Sequence, residues 1–248
     1  MSKLSKKITR IQRREGGGFG FGAAHREQPR AMLLGVFAAD AAAVGTAATA
    51  GADVVVVRGK DAAKAIQAAA AKDATVGAWV DSLDSATGDA LHAAGCDFVV
   101  SGLGSTDATA VDTDRMGQVI VQEGALDDTT LRALGPLGLD CIFVNHNAGP
   151  MTLLQQLELV RVASFASTPL MVTVAADAGL AELRVLRDSG VAVVVAPAGT
   201  SEEALSALGE RLRQIPTSKR GRENGREMAI VPSTAGHHDE EEDEPEEI

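Results

Sequence analysis

Short unbroken apolar runs recur along this chain, each entered through a small residue and a glycine. One set comprises AGADVVVV (50–57), AGCDFVV (94–100), LGLDCIFV (137–144) and SGVAVVVA (189–196), whose glycines Gly51, Gly95, Gly138 and Gly190 are spaced by 44, 43 and 52 residues. A second set lies between them: MLLGVFAAD (32–40), ATVGAWVDS (74–82), GQVIVQEG (117–124) and PLMVTVAAD (169–177). Together they define a βαβα unit of about 44 residues repeated four times, hence eight strands. Runs that are apolar throughout, instead of alternating, are what strands covered on both faces require. The stretches 41–50, 62–71, 85–94, 128–137, 152–166, 180–189 and 201–215 read as helices. A glycine after a helix accepts the left-handed conformation that ends it, which explains the Gly before each even strand. Such alternation demands a parallel sheet with right-handed crossovers.

Two architectures satisfy that demand, a closed (β/α)8 barrel of the TIM type and an open doubly wound sheet. The open sheet's phosphate fingerprint is missing, because GLGSTD (102–107) follows the fourth strand and lacks the third glycine. Fourfold repetition favours closure. The barrel is placed at 31–216, which leaves little for loops and predicts a shallow mouth. The connection 102–117 is rich in Gly, Asp and Thr, so the fourth outer helix is expected to be short or absent.

Composition narrows the interior. Hydrophobic residues make up 45% and aromatics 3%, with no Tyr, so the core must be aliphatic. The net charge of −11 is unevenly spread: residues 1–30 hold eight Lys/Arg against two Glu, residues 31–216 eleven against twenty-two acidic, and residues 217–248 four against ten. An acidic barrel repels phosphate backbones and disfavours nucleic acid as a partner. Residues 1–30 read as a basic arm with a Gly/Phe linker, GGGFGFG (16–22), and residues 217–248 as a disordered tail ending acidic. In the arm, Leu4, Ile8 and Ile11 lie at helical spacing beneath a basic face, so it is either a solvated extension or an anchor to an anionic surface or an acidic partner. Both ends are expected outside the core, and brief proteolysis is expected to trim them. Cys96 and Cys141 each adjoin an Asp at the start of an apolar run and read as buried, unpaired strand residues. No run approaches the roughly 20 apolar residues of a membrane span, and no secretory signal is evident, so a cytoplasmic location is expected. Homo-oligomers remain compatible with the sequence.

In a parallel barrel, chemistry gathers at the C-terminal ends of the strands. There the sequence places Asp40, Arg58 and Lys60, Asp81, Glu123, Asn145 and His146, Asp177, and Thr200 with Ser201. Converging carboxylates could hold a divalent cation or move protons. They could equally cap the following helices, Asp40, Asp81 and Asp177 most readily. Arg58 and Lys60 offer positive charge to a substrate carboxylate or phosphate, or to neighbouring Asp40 and Asp81. Thr200 with Glu203 fits a capping box and also stands at the usual phosphate position of such barrels. No Lys lies within a strand, which disfavours Schiff-base chemistry.

The stretch VIVQEGALDDTTLRALGPLGLDCIFVNHNAG (119–149) resembles the fifth-to-sixth strand region of the metal-dependent pyruvate-type aldolases and citrate lyase β-like barrels. That resemblance implies an aldolase-type barrel with Glu123 as the first ligand of Mg²⁺ or Mn²⁺. The family's second ligand, an Asp, falls on Ala148, and its Gly-Pro falls on Asn145-His146, so half the metal site is missing. Two functions follow as expectations. One is a lyase or isomerase acting on a small carboxylate-bearing substrate, with Glu123 as metal ligand or base, Arg58 as anion clamp and His146 as polarising or proton-transfer group. Asp40, Lys60, Asp81, Asn145, Asp177, Thr200 and Ser201 would then line the substrate site. The other is a catalytically degenerate barrel serving as scaffold or binding module through its charged termini.

Overall fold

In the computed structural model, residues 1–14, 30–59, 61–69, 74–146 and 151–216 are described. The chain opens with α1 (Lys3–Arg14) and then alternates strand and helix. The order is β1 (Leu33–Ala38), α2 (Ala41–Thr49), β2 (Val54–Arg58), α3 (Ala62–Ala69), β3 (Thr75–Trp79), α4 (Ser85–Ala93), β4 (Phe98–Gly102), β5 (Gly117–Val121), α5 (Asp128–Leu134), β6 (Cys141–Val144), α6 (Leu153–Ala166), β7 (Leu170–Thr173), α7 (Leu180–Asp188), β8 (Val191–Ala196) and α8 (Glu202–Arg213). The eight strands are parallel and close in sequence order, with Leu33 of β1 in register with Val193 of β8. This is the (β/α)8 barrel that the repeat predicts. Between β4 and β5 there is a single 3-10 turn, Leu103–Ser105, and no α-helix among the described residues, as the composition of 102–117 implied.

Two apolar cores follow from the period of two along each strand. Leu33, Phe37, Val54, Val56, Phe98, Val100, Cys141, Phe143, Val193 and Val195 face the barrel axis. Their neighbours Leu34, Val36, Val55, Val57, Val99, Ile142, Leu170, Val172 and Val194 face the helices. That double burial is why the strands are apolar at every position. The four glycines that precede the even strands, Gly51, Gly95, Gly138 and Gly190, all have positive φ, between 69° and 90°.

The expectation that the N-terminal end lies outside the core is overturned for residues 1–14. Leu4 is 0% and Ile8 3% exposed, and both join the axial core, with Ile11 packed partly against it. The helix α1 therefore covers the N-terminal end of the barrel. Two such aliphatic burials are worth about 1.5–3 kcal/mol each. Polar contacts fix its register: Lys3 pairs with Asp97 at 2.9 Å, Lys7 Nζ donates to the Asp53 carbonyl at 2.8 Å, and Ser2 Oγ donates to the Asp140 carboxylate. Lys3 of the arm thus pairs with an acidic residue at the entrance to the barrel. Three even strands begin with Gly-x-Asp, and these aspartates also brace the sheet. Asp53 accepts from the Leu34 N–H and Asp97 from the Val76 N–H, each at 3.0 Å. The linker 16–22 and the tail 217–248 lie outside the described residues.

Candidate functional site

The C-terminal face of the barrel is closed by aromatic rings. Phe37 of β1, Trp79 of β3 and Phe143 of β6 meet edge to face, with centroids 4.9–6.1 Å apart. Phe37 and Phe143 are nearly fully buried, and Trp79 is partly exposed. Strand register explains part of the cluster's use, because Arg58 at the end of β2 is the in-register neighbour of Trp79. Its guanidinium lies 4.1 Å from the Trp79 ring centroid and 5.3 Å from that of Phe37. A guanidinium stacked on a ring keeps its in-plane donors available. Among the described residues Arg58 has no ion pair: the expected alternative partners, Asp40 and Asp81, do not take it.

Arg58 and Asp81 line one hollow of about 600 Å³ at the ends of β2 and β3, together with Trp79, Ser82 and Thr87. His146 and Asp177 line another, of about 750 Å³, between the ends of β6 and β7 and the helices α6 and α7. Glu123 belongs to neither set. Its carboxylate lies over Gly102, where an added Cβ would stand 2.6 Å from Oε1 and 2.8 Å from the Ser105 hydroxyl. The three residues expected to act together, Glu123, Arg58 and His146, are therefore not gathered in one hollow.

The remaining candidates divide between helix caps and loop contacts. Asp40 caps α2 by accepting from the Ala43 N–H at 2.8 Å. Asp81 and Asp177 do not cap: α4 is capped by Asp84, and α7 begins at Gly179 without a side-chain cap. Ser201, not Thr200, caps α8, accepting from the Ala204 N–H at 3.2 Å, while Thr200 Oγ1 donates to the Pro197 carbonyl at 2.8 Å. The Thr200–Glu203 capping box is thus replaced by a cap one residue later. Asn145 Oδ1 accepts from Thr173 Oγ1 at 3.3 Å, and the same hydroxyl accepts from the His146 N–H at 3.1 Å. Among the described residues, His146 Nε2 is buried without a hydrogen-bond partner. Lys60 lies outside the described residues.

The metal-binding expectation fits poorly with the residues present. Among the described residues no three His, Cys, Asp or Glu side chains converge to hold an ion. Ala148, where the resemblance would need a second ligand, lies outside them. Both cysteines are buried and unpaired, and burial pushes the Cys96 thiol up to about 12 and the Cys141 thiol well above its ordinary value. Sequence reasoning missed the aromatic platform under Arg58. Its signal was available: the chain has one Trp, and it sits at a strand end beside the strand that carries Arg58.

No family model matches the chain, and no curated protein matches it. Solved structures do match in shape. Mycobacterium tuberculosis tryptophan synthase is similar with a TM-score of 0.63 at 14% identity, over 86% of this chain and 97% of that one. An HpcH/HpaI aldolase from Desulfitobacterium hafniense DCB-2 gives 0.52 at 12% identity, over 75% and 94%. A 3-hexulose-6-phosphate synthase gives 0.52 at 25% identity, over 75% and 100%. No described helix is long and apolar enough to cross a membrane. In its fold the chain is an aldolase-type (β/α)8 barrel, with synthases and an aldolase among its structural neighbours.

Proposed function

We propose that the protein binds a small carboxylate-bearing molecule in the hollow between the ends of β2 and β3, with Arg58 as anion clamp and Asp81 as the group that takes up and returns a proton. The chemistry would be that of an isomerase or lyase working without a metal. The observation that carries this reading is Arg58 itself, a cation held over two rings with no ion pair among the described residues. Residues 31–216 carry twice as many acidic as basic residues, so an unneutralised guanidinium at the functional end of the barrel is selective for an anion. A planar guanidinium suits the bidentate geometry of a carboxylate. Lys60, two residues on, adds a second positive charge to the same stretch of sequence. Ser82 and Thr87 supply neutral hydrogen-bonding groups in the same hollow.

A second reading, a binding barrel without turnover, is favoured by the ring cluster that fills the axial mouth. Calorimetric titration with acetate, malonate and succinate tests the shared part of both. One charge-assisted clamp gives affinity on the order of millimolar. Arg58→Gln is expected to weaken binding at least about tenfold, the effect of about 1.4 kcal/mol, and Asp81→Asn to leave it in place. Binding indifferent to Arg58 would overturn the proposal. Deuterium wash-in at the carbon next to the carboxylate, followed by NMR, then separates the two readings. Exchange that disappears in Asp81→Asn marks proton-transfer chemistry, and binding without exchange marks a binding module.

A further inference from the structure

The hollow beside Arg58 is larger than an anion clamp needs. Its volume of about 600 Å³ falls within the roughly 300–1,000 Å³ of sites for small organic ligands, and a carboxylate alone would leave most of it to water. The strand ends contribute its polar groups, Arg58, Asp81 and Ser82. The helices contribute mostly apolar wall: Ala62 and Ala63 from the first turn of α3, and Ala90 and Leu91 from α4. Thr87, Ala90 and Leu91 stand at i, i+3 and i+4, so one face of α4 is turned to the hollow. Three of the four apolar wall residues are alanines, whose short side chains leave the space between the two helices open. Of the described residues that line the hollow, Arg58 is the one cation and Asp81 the one anion.

We infer that the ligand held by Arg58 is a monocarboxylate with a short aliphatic chain, which lies along the alanine wall between α3 and α4. This rests on the reading of Arg58 as anion clamp and names the class of molecule that the clamp serves. Each methylene laid against the apolar wall leaves water and adds affinity. A second carboxylate in the same place would lose its hydration with no second cation among the described lining residues to replace it. It would also face Asp81, a charge of its own sign. The lining therefore selects for one anionic end and one apolar end, and against a dicarboxylate of the same length.

Calorimetric titration of the full chain with acetate, butyrate and succinate, at constant ionic strength, tests the inference. Butyrate carries two more methylenes than acetate and is expected to bind about tenfold tighter, the equivalent of about 1.4 kcal/mol. Succinate, with the same two methylenes and a second carboxylate, is expected to bind more weakly than butyrate. Ala90→Gln puts a polar side chain into the wall, and because Ala90 is exposed on α4 the variant keeps its far-ultraviolet circular dichroism. It is expected to cut the butyrate-to-acetate ratio to about twofold. Arg58→Gln separates the two levels of the account. Equal affinity for acetate and butyrate, both lost in Arg58→Gln, would overturn the aliphatic ligand and leave the clamp standing. Succinate binding as tightly as butyrate, or a butyrate preference that survives Ala90→Gln, would also overturn it. Binding that ignores Arg58→Gln, or no binding of any of the three, would remove clamp and chain together.

Discussion

A Cβ placed on Gly77 would stand 2.4 Å from the ring of Phe98, which occupies the space inside the barrel that a side chain on β3 would take. Gly77→Ala is therefore expected to cost about 1–3 kcal/mol by overpacking, read as a lower midpoint in urea unfolding with an unchanged slope. An unaltered midpoint would mean that Phe98 moves aside freely. Asp140 presents the opposite case, a charge whose removal helps. Burial pushes its carboxyl above the ordinary aspartate range, and the hydrogen bond from Ser2 only partly offsets this. A carboxyl raised in the folded state favours folding while protonated, and that contribution is lost as pH rises through the raised value. Asp140→Asn keeps an acceptor for Ser2 and removes the charge. Its thermal midpoint is expected to equal or exceed the wild type's at pH 7 and to lose that advantage as pH falls below the ordinary aspartate range. A variant less stable than wild type at pH 7 and equal to it in acid would reverse the sign of this account.

Helix α1 shows how an element can be legible while its destination is not. The spacing of Leu4, Ile8 and Ile11 and the surplus of lysine and arginine were plain in the sequence. Docking, however, uses the Asp53 carbonyl and the carboxylates of Asp97 and Asp140, residues that stand 43 or 44 apart and come together only when the barrel closes. Each of the three is the last residue of a Gly-x-Asp repeat, so a ring of acid at the strand entrances was encoded beside a basic amphipathic helix. Leu4→Ala is expected to destabilise the protein by about 2–5 kcal/mol, as a core truncation does, whereas a solvated arm would tolerate it within about 0.5 kcal/mol. Guanidinium unfolding followed by circular dichroism distinguishes the two. Between α5 and α6, Arg161 binds Glu158 at 2.9 Å and also pairs with Asp128. Its hydrogen bond holds the Glu158 carboxyl below the ordinary glutamate range. A lowered value stabilises above the ordinary range and is lost as pH falls through it. Arg161→Leu should therefore lose less stability on acidification than the wild type does in that window, and an identical acid limb in both proteins would contradict the pairing.

At the scale of the whole molecule, the fourfold repeat carried the architecture: eight parallel strands, their order, and the missing helix after β4 follow from spacing and composition. The functional face was legible only as a roster of strand ends. Which strand ends share a hollow depends on where side chains turn after leaving the sheet, and that is set by partners distant in sequence. Glu123 settles over Gly102 of the adjacent strand, His146 shares a hollow with residues of β7 and α7, and Arg58 turns inward onto Trp79 and Phe37. The proposed site is therefore the Arg58 hollow instead of an axial metal site. Trp79 gives a direct test, because it is the chain's one tryptophan and the chain has no tyrosine. An anion that engages the guanidinium above the indole must alter its emission. Titration of the wild type with malonate, at constant ionic strength, is expected to give a saturable change in Trp79 fluorescence that is absent in Arg58→Gln. A flat wild-type trace, or the same saturable change in the variant, would contradict the placement of the site.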